Sequence, residues 1–380
     1  MSAAMILPGA TLGMLGGGQL GRMFTVAART LGYRVLVLDP DPGSPAGRIA
    51  DQHLHAAYGD QWALQEIAQR CAAVTTEFEN IPAQTLETLA QHLPVRPSAQ
   101  ALRHTQDRIR EKQFIHATGL ATAPFYPIQH PDDFAPALAQ VGTPAILKRA
   151  ALGYDGKGQI SIRQPGELAQ AFADLGEVAC VLEQKLVLER EVSVIVARSA
   201  DGECACYPVV ENIHHHGILH LSLAPARIPE TLAQQAREMA QTLAHALDYC
   251  GVMAVEFFLT ASGEFLVNEI APRPHNSGHY TLDACITSQF EQQVRAVCGL
   301  PFGDTQLLSP VVMVNILGDV WQQHSPNWAA LLAEPRAKLH LYGKEQPRPG
   351  RKMGHFCVLD PCLEQALHSA EQIFARLAPS

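Results

Sequence analysis

A chain of 380 residues, 47% hydrophobic and 17% charged, has the composition of an ordinary globular protein of two or three domains. A net charge of −9 without any basic run argues against nucleic acid as a partner, and no apolar stretch approaches the length of a membrane span. Nine cysteines, an odd number with no CxxC pair, and a start that lacks the basic residues of a signal peptide read as a cytoplasmic chain with reduced, mostly buried thiols.

Strand and helix patterns alternate from the start, which predicts an α/β protein. Residues 11–15 read as a buried strand, Gly16-Gly17-Gly18-Gln19-Leu20-Gly21 as a turn, residues 19–30 as a helix and 35–38 as a second strand ending at Asp39. This fits the G-x-G-x-x-G fingerprint with an acid about 20 residues on, the mark of a dinucleotide-binding dehydrogenase. The glycines serve a sugar phosphate equally well, because their physical role is to let backbone N–H groups approach any phosphate at a helix start. Residues 72–75 read as another strand of the same parallel sheet. They run into Thr76-Glu77-Phe78-Glu79-Asn80-Ile81-Pro82, a polar loop at a strand's C-terminal end, where open α/β sheets bind ligands. Asn80-Ile81-Pro82 reads equally as a capped helix start.

A domain boundary is expected near residues 95–98, and residues 101–118 read as one charged helix. Ala145-Ile146-Leu147-Lys148 and residues 158–162 then read as two strands flanking Gly153-Tyr154-Asp155-Gly156-Lys157-Gly158-Gln159. Three glycines in seven residues make a flexible flap, but not a P-loop: residue 151 is alanine and no Ser or Thr follows Lys157. Lys148 sits in an apolar run, which argues for an inward phosphate contact. Residues 180–186 and 191–196 look like antiparallel strands. In His214-His215-His216, neighbours on a strand point to opposite faces, which speaks against a dedicated metal site. An alanine-rich helix over 230–249 follows.

Residues 252–259 and 264–270 form a predicted hairpin of β-rich, mostly apolar runs that carries Glu256 and Glu269 within its strands. With Ala261-Ser262 as a two-residue turn, Glu256 faces Val267. Glu269 then lies on the same sheet face, one diagonal step of roughly 7–8 Å away. Buried carboxylates are rare unless paired or metal-bound, so the pair is assigned to Mg2+, with Mn2+ as a substitute, on a nucleoside triphosphate under the glycine flap. A one-residue bulge would break this parity. After Glu269 comes a donor-dense loop, residues 271–279, whose Arg273 and His275 would stand beside a reacting phosphoryl group. His275 reads equally as a base or as an orienting group. Residues 342–345 and 349–355 hold the chain's basic cluster, a candidate monophosphate clamp.

Six segments in this order, GGGQLGRM (16–23), TEFENIP (76–82), GYDGKGQ (153–159), ENIHHHGIL (211–219), NEIAPRPHNSGH (268–279) and GRKMGH (350–355), resemble one family across essentially the whole chain. That family is the N5-carboxyaminoimidazole ribonucleotide synthetases, ATP-grasp ligases of purine biosynthesis. The resemblance implies an ATP-grasp fold with a Rossmann-like pre-ATP-grasp domain over 1–98. The ATP-grasp domain would span 99–300, with a lid at about 115–182, and a small C-terminal domain 301–380. It implies an ATP site of Arg108, Lys148, residues 153–159 (Gly153, Tyr154, Asp155, Gly156, Lys157, Gly158, Gln159), Glu183, Gln184, Lys185, Leu186, Glu191, His214 and Asn268. Glu256 and Glu269 would serve the metal. Gly18, Gln19, Leu20, Glu77, Tyr154, Asn276, Ser277, Lys344, Arg351 and Lys352 would hold 5-aminoimidazole ribonucleotide, while Arg273, His275 and Lys157 face bicarbonate and carboxyphosphate. It further implies a homodimer. One departure from the wider ATP-grasp pattern is Ala271, where many members carry a metal-binding Asn. The related formate-dependent glycinamide ribonucleotide formyltransferases share the PRPH loop and are the nearest alternative. A dehydrogenase would leave the acidic hairpin without a role.

Overall fold

The structure is a computed structural model that describes residues 5–151, 153, 158–321 and 325–377. It begins with β1 (Thr11–Leu15), α1 (Gln19–Thr30), β2 (Arg34–Leu38), β3 (Gln52–Leu54), α2 (Gln61–Arg70) and β4 (Ala73–Thr76). The four strands pair in parallel in the order β3-β2-β1-β4. Their continuous apolar runs are those of strands covered on both faces. Leu12, Met14, Val35 and Val37 pack toward Phe24 and Ala28 of α1, while Leu15, Leu36 and Leu38 pack toward Leu64 and Ile67 of α2.

Next come α3 (Ala83–Ala90), α4 (Ala99–Thr105) and α5 (Arg108–Ala117). The single helix expected over 101–118 is therefore two. Asp107 ends the first by capping the second, accepting the N–H groups of Ile109 and Arg110 at 3.0 Å each. The break places Arg108 at the first position of α5, where its own N–H donates to the Ala150 carbonyl (2.8 Å).

A second, antiparallel sheet holds β5 (Phe125–Ile128), β6 (Ala145–Arg149), β7 (Gln159–Ile162) and β8 (Cys180–Gln184) in the order β5-β8-β6-β7. Two helices, α6 (Phe134–Val141) and α7 (Leu168–Asp174), cover it over Ile128, Leu147, Ile162 and Leu182. The hairpin expected around the glycine flap is present as β6 and β7, with Lys148 opposite Gln159. Tyr154, Asp155, Gly156 and Lys157 lie outside the described residues.

The third sheet is the largest. Its elements are β9 (Leu188–Arg198), β10 (Cys204–Cys206), β11 (Val210–His215), β12 (Ile218–Ala224), α8 (Glu230–Ala246), β13 (Gly251–Thr260) and β14 (Phe265–Ala271). The chain goes on through α9 (Thr281–Ala284), α10 (Gln289–Cys298), β15 (Val311–Leu317), α11 (Trp328–Leu332), β16 (Ala337–Leu341), β17 (Lys352–Leu359) and α12 (Leu363–Leu377). The order is β14-β13-β9-β11-β12-β15-β17-β16, with β10 added to β9. Strands on both sides of residue 300 thus share one sheet, joined where β12 pairs with β15. On one face α8 packs against Val194, Val196, Met253 and Val255. The apolar face of α10 buries Val294, Val297 and Cys298 among Leu12, Phe24 and Val35, tying the first sheet to the third.

Two register expectations need correction. Segments 180–186 and 191–196 do form strands, but they do not pair. β8 lies between β5 and β6, whereas β9 lies between β13 and β11. Apolar alternation identifies a strand but not its neighbour, and here the connector crosses between sheets, with the Lys185 N–H on the Pro144 carbonyl (3.0 Å). In the acidic hairpin the loop is one residue longer than expected. Leu259 faces Phe265, and Ala261-Ser262-Gly263 turn the chain with Gly263 at φ +87°. A bulge at Asn268 adds a second one-residue shift, so Phe257 faces Val267 but Glu256 faces Glu269. Two shifts restore the parity that one would have broken. The glutamates are direct cross-strand partners on one face rather than diagonal neighbours.

The glycine turn before α1 is packed as closely as its letters suggest. Gly16 holds φ +101°, and a Cβ there would overlap the Glu77 side chain. Gly16→Ala should therefore lower unfolding free energy by about 1–3 kcal/mol. A urea or thermal midpoint unchanged from wild type would contradict this packing.

Candidate active site

One cleft of about 1170 Å³ runs between the three sheets. At its first end, β6, β8 and α5 bring together three charges in a buried setting. Lys148 Nζ lies 2.9 Å from Glu183 Oε2, and Lys112 Nζ 3.3 Å from Glu183 Oε1, with Lys112 and Glu183 almost fully buried. Burial opposes ionisation of Glu183, but the two ammonium groups outweigh it and hold the carboxyl at about 2. The trio keeps a net positive charge and fixes Lys148 at the cleft wall. Gly153, Gln159, Gln184, Lys185 and Leu186 line the same end. Gly158, expected with them, is not among the lining residues; its carbonyl accepts the Arg149 N–H (2.9 Å). Further along, Glu191 pairs with His214 (Oε2 to Nδ1, 3.1 Å). Burial disfavours the imidazolium, but Glu191 and then Glu256 raise the His214 pKa above its ordinary value. The next histidine points the other way, its ring stacked on His220 at 4.4 Å.

The acidic pair stands at the middle. Glu256 Oε1 lies 3.1 Å from His275 Nε2, and Glu269 Oε2 accepts from Arg108 Nη1 at 2.9 Å. Burial and the neighbouring Glu269 push the Glu256 pKa up. For Glu269 burial acts the same way, but Arg108, Lys148 and Arg273 override it and hold the group down. Asn268, the bulged residue, lines the cleft beside them. No group of three or more His, Cys, Asp or Glu among the described residues is arranged to hold a metal ion. The acidic pair offers two carboxylates only, so a cation there needs ligands from outside the chain.

Arg273 reaches across to Glu79 of the loop after β4 (Nε to Oε2, 2.6 Å), which ties the 271–279 loop to the N-terminal sheet. The His275 backbone is clamped at both ends by the buried Gln289 side chain. Its N–H donates to Oε1 at 2.9 Å, and its carbonyl accepts from Nε2 at 2.8 Å. Asn276 lines the cleft and exchanges hydrogen bonds with Asn315 (3.0 and 2.7 Å). Ser277, expected on substrate, is instead fully buried behind the cleft, hydrogen-bonded to His275 Nδ1 (2.9 Å) and Ser193 Oγ (2.7 Å).

At the far end Gly18, Gln19, Leu20, Glu77, Lys344, Arg351 and Lys352 line the cleft, together with Arg348. The amides of the glycine turn are already engaged within the chain. Gly18 N–H and Gly21 N–H donate to the two Glu77 oxygens, and Gly17 N–H donates to Asp39 Oδ2 (2.6 Å), which also accepts from Tyr58. At this helix start a carboxylate of the protein thus takes the Gly18 and Gly21 amides. Asp39, buried and bonded, is not presented to a ribose, which removes the basis of the dehydrogenase reading. Lys344 Nζ donates to the Lys352 carbonyl (2.7 Å) and lies 5.6 Å from the centre of the Tyr342 ring.

The sequence reading missed several side chains that build the site. Glu111 of α5 lines the cleft, accepts the Ile270 N–H (2.6 Å) and is pushed up to about 8 by burial and by Glu269. Glu79, Lys112, Arg348 and Gln289 were likewise not assigned. The available signal was the repeated spacing of charges on α5, where Arg108, Glu111 and Lys112 fall on one helical face.

Matches with known proteins agree with this architecture. Residues 113–290 match the family model of the ATP-grasp domain, 9–106 that of the ribonucleotide synthetase preATP-grasp domain, and 311–369 that of the phosphoribosylaminoimidazole carboxylase C-terminal domain. The chain is thus built as an ATP-grasp protein. It is 46% identical over 361 residues to the N5-carboxyaminoimidazole ribonucleotide synthase of Bacillus subtilis strain 168, covering 94% of each chain. It superposes with TM-score 0.91 on an N5-carboxyaminoimidazole ribonucleotide synthetase in complex with ADP, at 45% identity and 97% of each chain. It also superposes on the N5-carboxyaminoimidazole synthase of Aspergillus clavatus in complex with ADP and 5-aminoimidazole ribonucleotide, with TM-score 0.89, 32% identity and 97% and 98% coverage. The chain belongs to the N5-carboxyaminoimidazole ribonucleotide synthetase family.

If the acidic pair serves phosphoryl transfer, Glu269→Gln should keep the fold and lower kcat at least about 100-fold, or about 2.7 kcal/mol in activation free energy. Steady-state release of ADP by a variant with an unchanged melting temperature is the check. Near-normal turnover would remove Glu269 from the reaction.

Proposed function

We infer that the chain performs the reaction its family is named for, the ATP-dependent carboxylation of the amine of 5-aminoimidazole ribonucleotide in purine biosynthesis, with bicarbonate as the carbon source. The observation that carries this reading is the one cleft that joins Lys148 at one end to Lys344, Arg351 and Lys352 at the other, with Glu256, Glu269, His275 and Arg273 between.

The chemistry follows from the parts. Bicarbonate is a poor electrophile, so ATP phosphorylates it to carboxyphosphate and releases ADP. Lys148, held by Glu183, and Arg108 stand where they can neutralise the polyphosphate. Glu256 and Glu269 suit a hard cation such as Mg2+, since both present oxygen and share one sheet face, where His275 and Arg108 hold them. When bound, the cation supplies charge neutralisation at the transferring phosphoryl group. Arg273, steadied by Glu79, faces the short-lived mixed anhydride. The basic cluster around Arg351 takes the monophosphate of the ribonucleotide and so orients its exocyclic amine toward the carboxyl group.

The family resemblance extends the proposal to a cytoplasmic homodimer. It also favours this reaction over the formate-dependent alternative, because relatives at 46% and 44% identity carry the carboxylase-type name. No helix among the described residues is long and apolar enough to cross a membrane.

Purified protein given ATP, bicarbonate and 5-aminoimidazole ribonucleotide should release ADP. Turnover only with formate and glycinamide ribonucleotide would overturn the assignment. Arg351→Ala should raise the KM for the ribonucleotide about tenfold with kcat within about twofold, as loss of a uniform phosphate contact does. An unchanged KM would move the phosphate site elsewhere.

A further inference from the structure

Behind the cleft, one face of the large sheet carries a row of polar side chains that none of the steps above uses. Glu256 on β13 is the cross-strand partner of Ser193 on β9, and Asn212 on β11 is the partner of Ser222 on β12. Ser193, Asn212, Ser222 and Ser277 are all buried. Ser222 Oγ donates to Asn212 Oδ1 (2.9 Å), and Asn212 Nδ2 donates to Ser193 Oγ (2.9 Å). Ser193 Oγ is 2.7 Å from Ser277 Oγ, which is 2.9 Å from His275 Nδ1. The row therefore ends on the imidazole whose other nitrogen faces Glu256.

The direction of these bonds is constrained at both ends. An amide NH2 can only donate, so Asn212 occupies one of the two acceptor positions on Ser193, and the Ser193 hydroxyl proton is available to Ser277. Ser277 in turn gives its own proton to His275. Independently, the Ser277 backbone N–H, also an obligate donor, points at the same Nδ1 (3.3 Å). Two donors converge on one ring nitrogen, which must then be bare.

We propose that Asn212, Ser193 and Ser277 are positioning residues that fix the proton of His275 on Nε2, so that His275 acts in the reaction as a hydrogen-bond donor and not as a general base. In the structure the Nε2–H points at Glu256. When Glu256 turns to a cation, the same N–H is presented to an oxyanion of the substrate, the carboxylate or phosphoryl oxygen of the activated bicarbonate. The proposal rests on the reading of the cleft as the carboxylation site.

The test is a long-range 1H–15N spectrum of the full chain labelled with 15N-histidine, the His275 signals being assigned by their loss in His275→Gln. Wild type should show a protonated Nε2 and a bare Nδ1. Asn212→Asp at pH 8 replaces the leading donor by an acceptor and reverses the row. His275 Nδ1, left with the Ser277 backbone N–H as its donor, should shift its 15N resonance, with kcat falling about 10- to 100-fold and the KM for ATP within about twofold. A wild-type spectrum with the proton on Nδ1, or on both nitrogens, overturns the proposal whether or not the variant folds. So does an Asn212→Asp protein whose spectrum and kcat match wild type. If His275→Gln itself releases ADP at the normal rate, the placement of His275 at the reacting group fails, while the tautomer is still decided by the wild-type spectrum.

Discussion

Two carboxylates set directly opposite each other on adjacent strands, in a half-closed cleft, are the constraint around which the rest is arranged. Like charges at cross-strand spacing repel, and burial makes the repulsion stronger. The chain answers with one counter-group for each. Arg108, swung into place by the break between α4 and α5, takes Glu269, and His275, clamped by Gln289, takes Glu256. The two partners come from different parts of the chain, so the pair also joins the helical connector, the large sheet and the 271–279 loop at one point.

The same logic repeats outward. Lys112 and Lys148 share Glu183, Arg273 is held by Glu79, and the amides at the start of α1 are held by Glu77 and Asp39. Each of these buried acids is met by an opposite charge or by hydrogen-bond donors, which is the condition for keeping such groups in a low-dielectric interior. The arrangement leaves the cleft walls positive at both ends and acidic in the middle, as the proposed ligands require: polyphosphate at one end, a monophosphate at the other, and a cation between.

Much of this was legible in the letters. The strand–glycine–helix start was read to the residue over 11–15 and 19–30, because strong apolar periodicity and a glycine turn mark element boundaries unambiguously. The β6–β7 hairpin and the acidic hairpin were also readable as elements. What failed was neighbourhood. The pattern of β8 does not say that its partners are β5 and β6, and the hairpin loop and the Asn268 bulge hid the true register of Glu256. Nothing in the glycine fingerprint shows that tertiary structure brings Glu77, from 56 residues downstream of Gly21, onto its amides. Likewise nothing local in Ser193, Asn212 or Ser277 announces that three distant polar residues meet in one buried row. Such convergence belongs to the fold and not to any one segment.

The place where a divalent cation binds decides the role of the acidic pair. Crystals grown with Mn2+ and a non-hydrolysable ATP analogue, measured at the manganese edge, give the direct answer. The account predicts an anomalous peak held by Glu256 and Glu269, with His275 released from Glu256. A peak away from both carboxylates, or Glu256 still paired with His275 in the loaded enzyme, would contradict it.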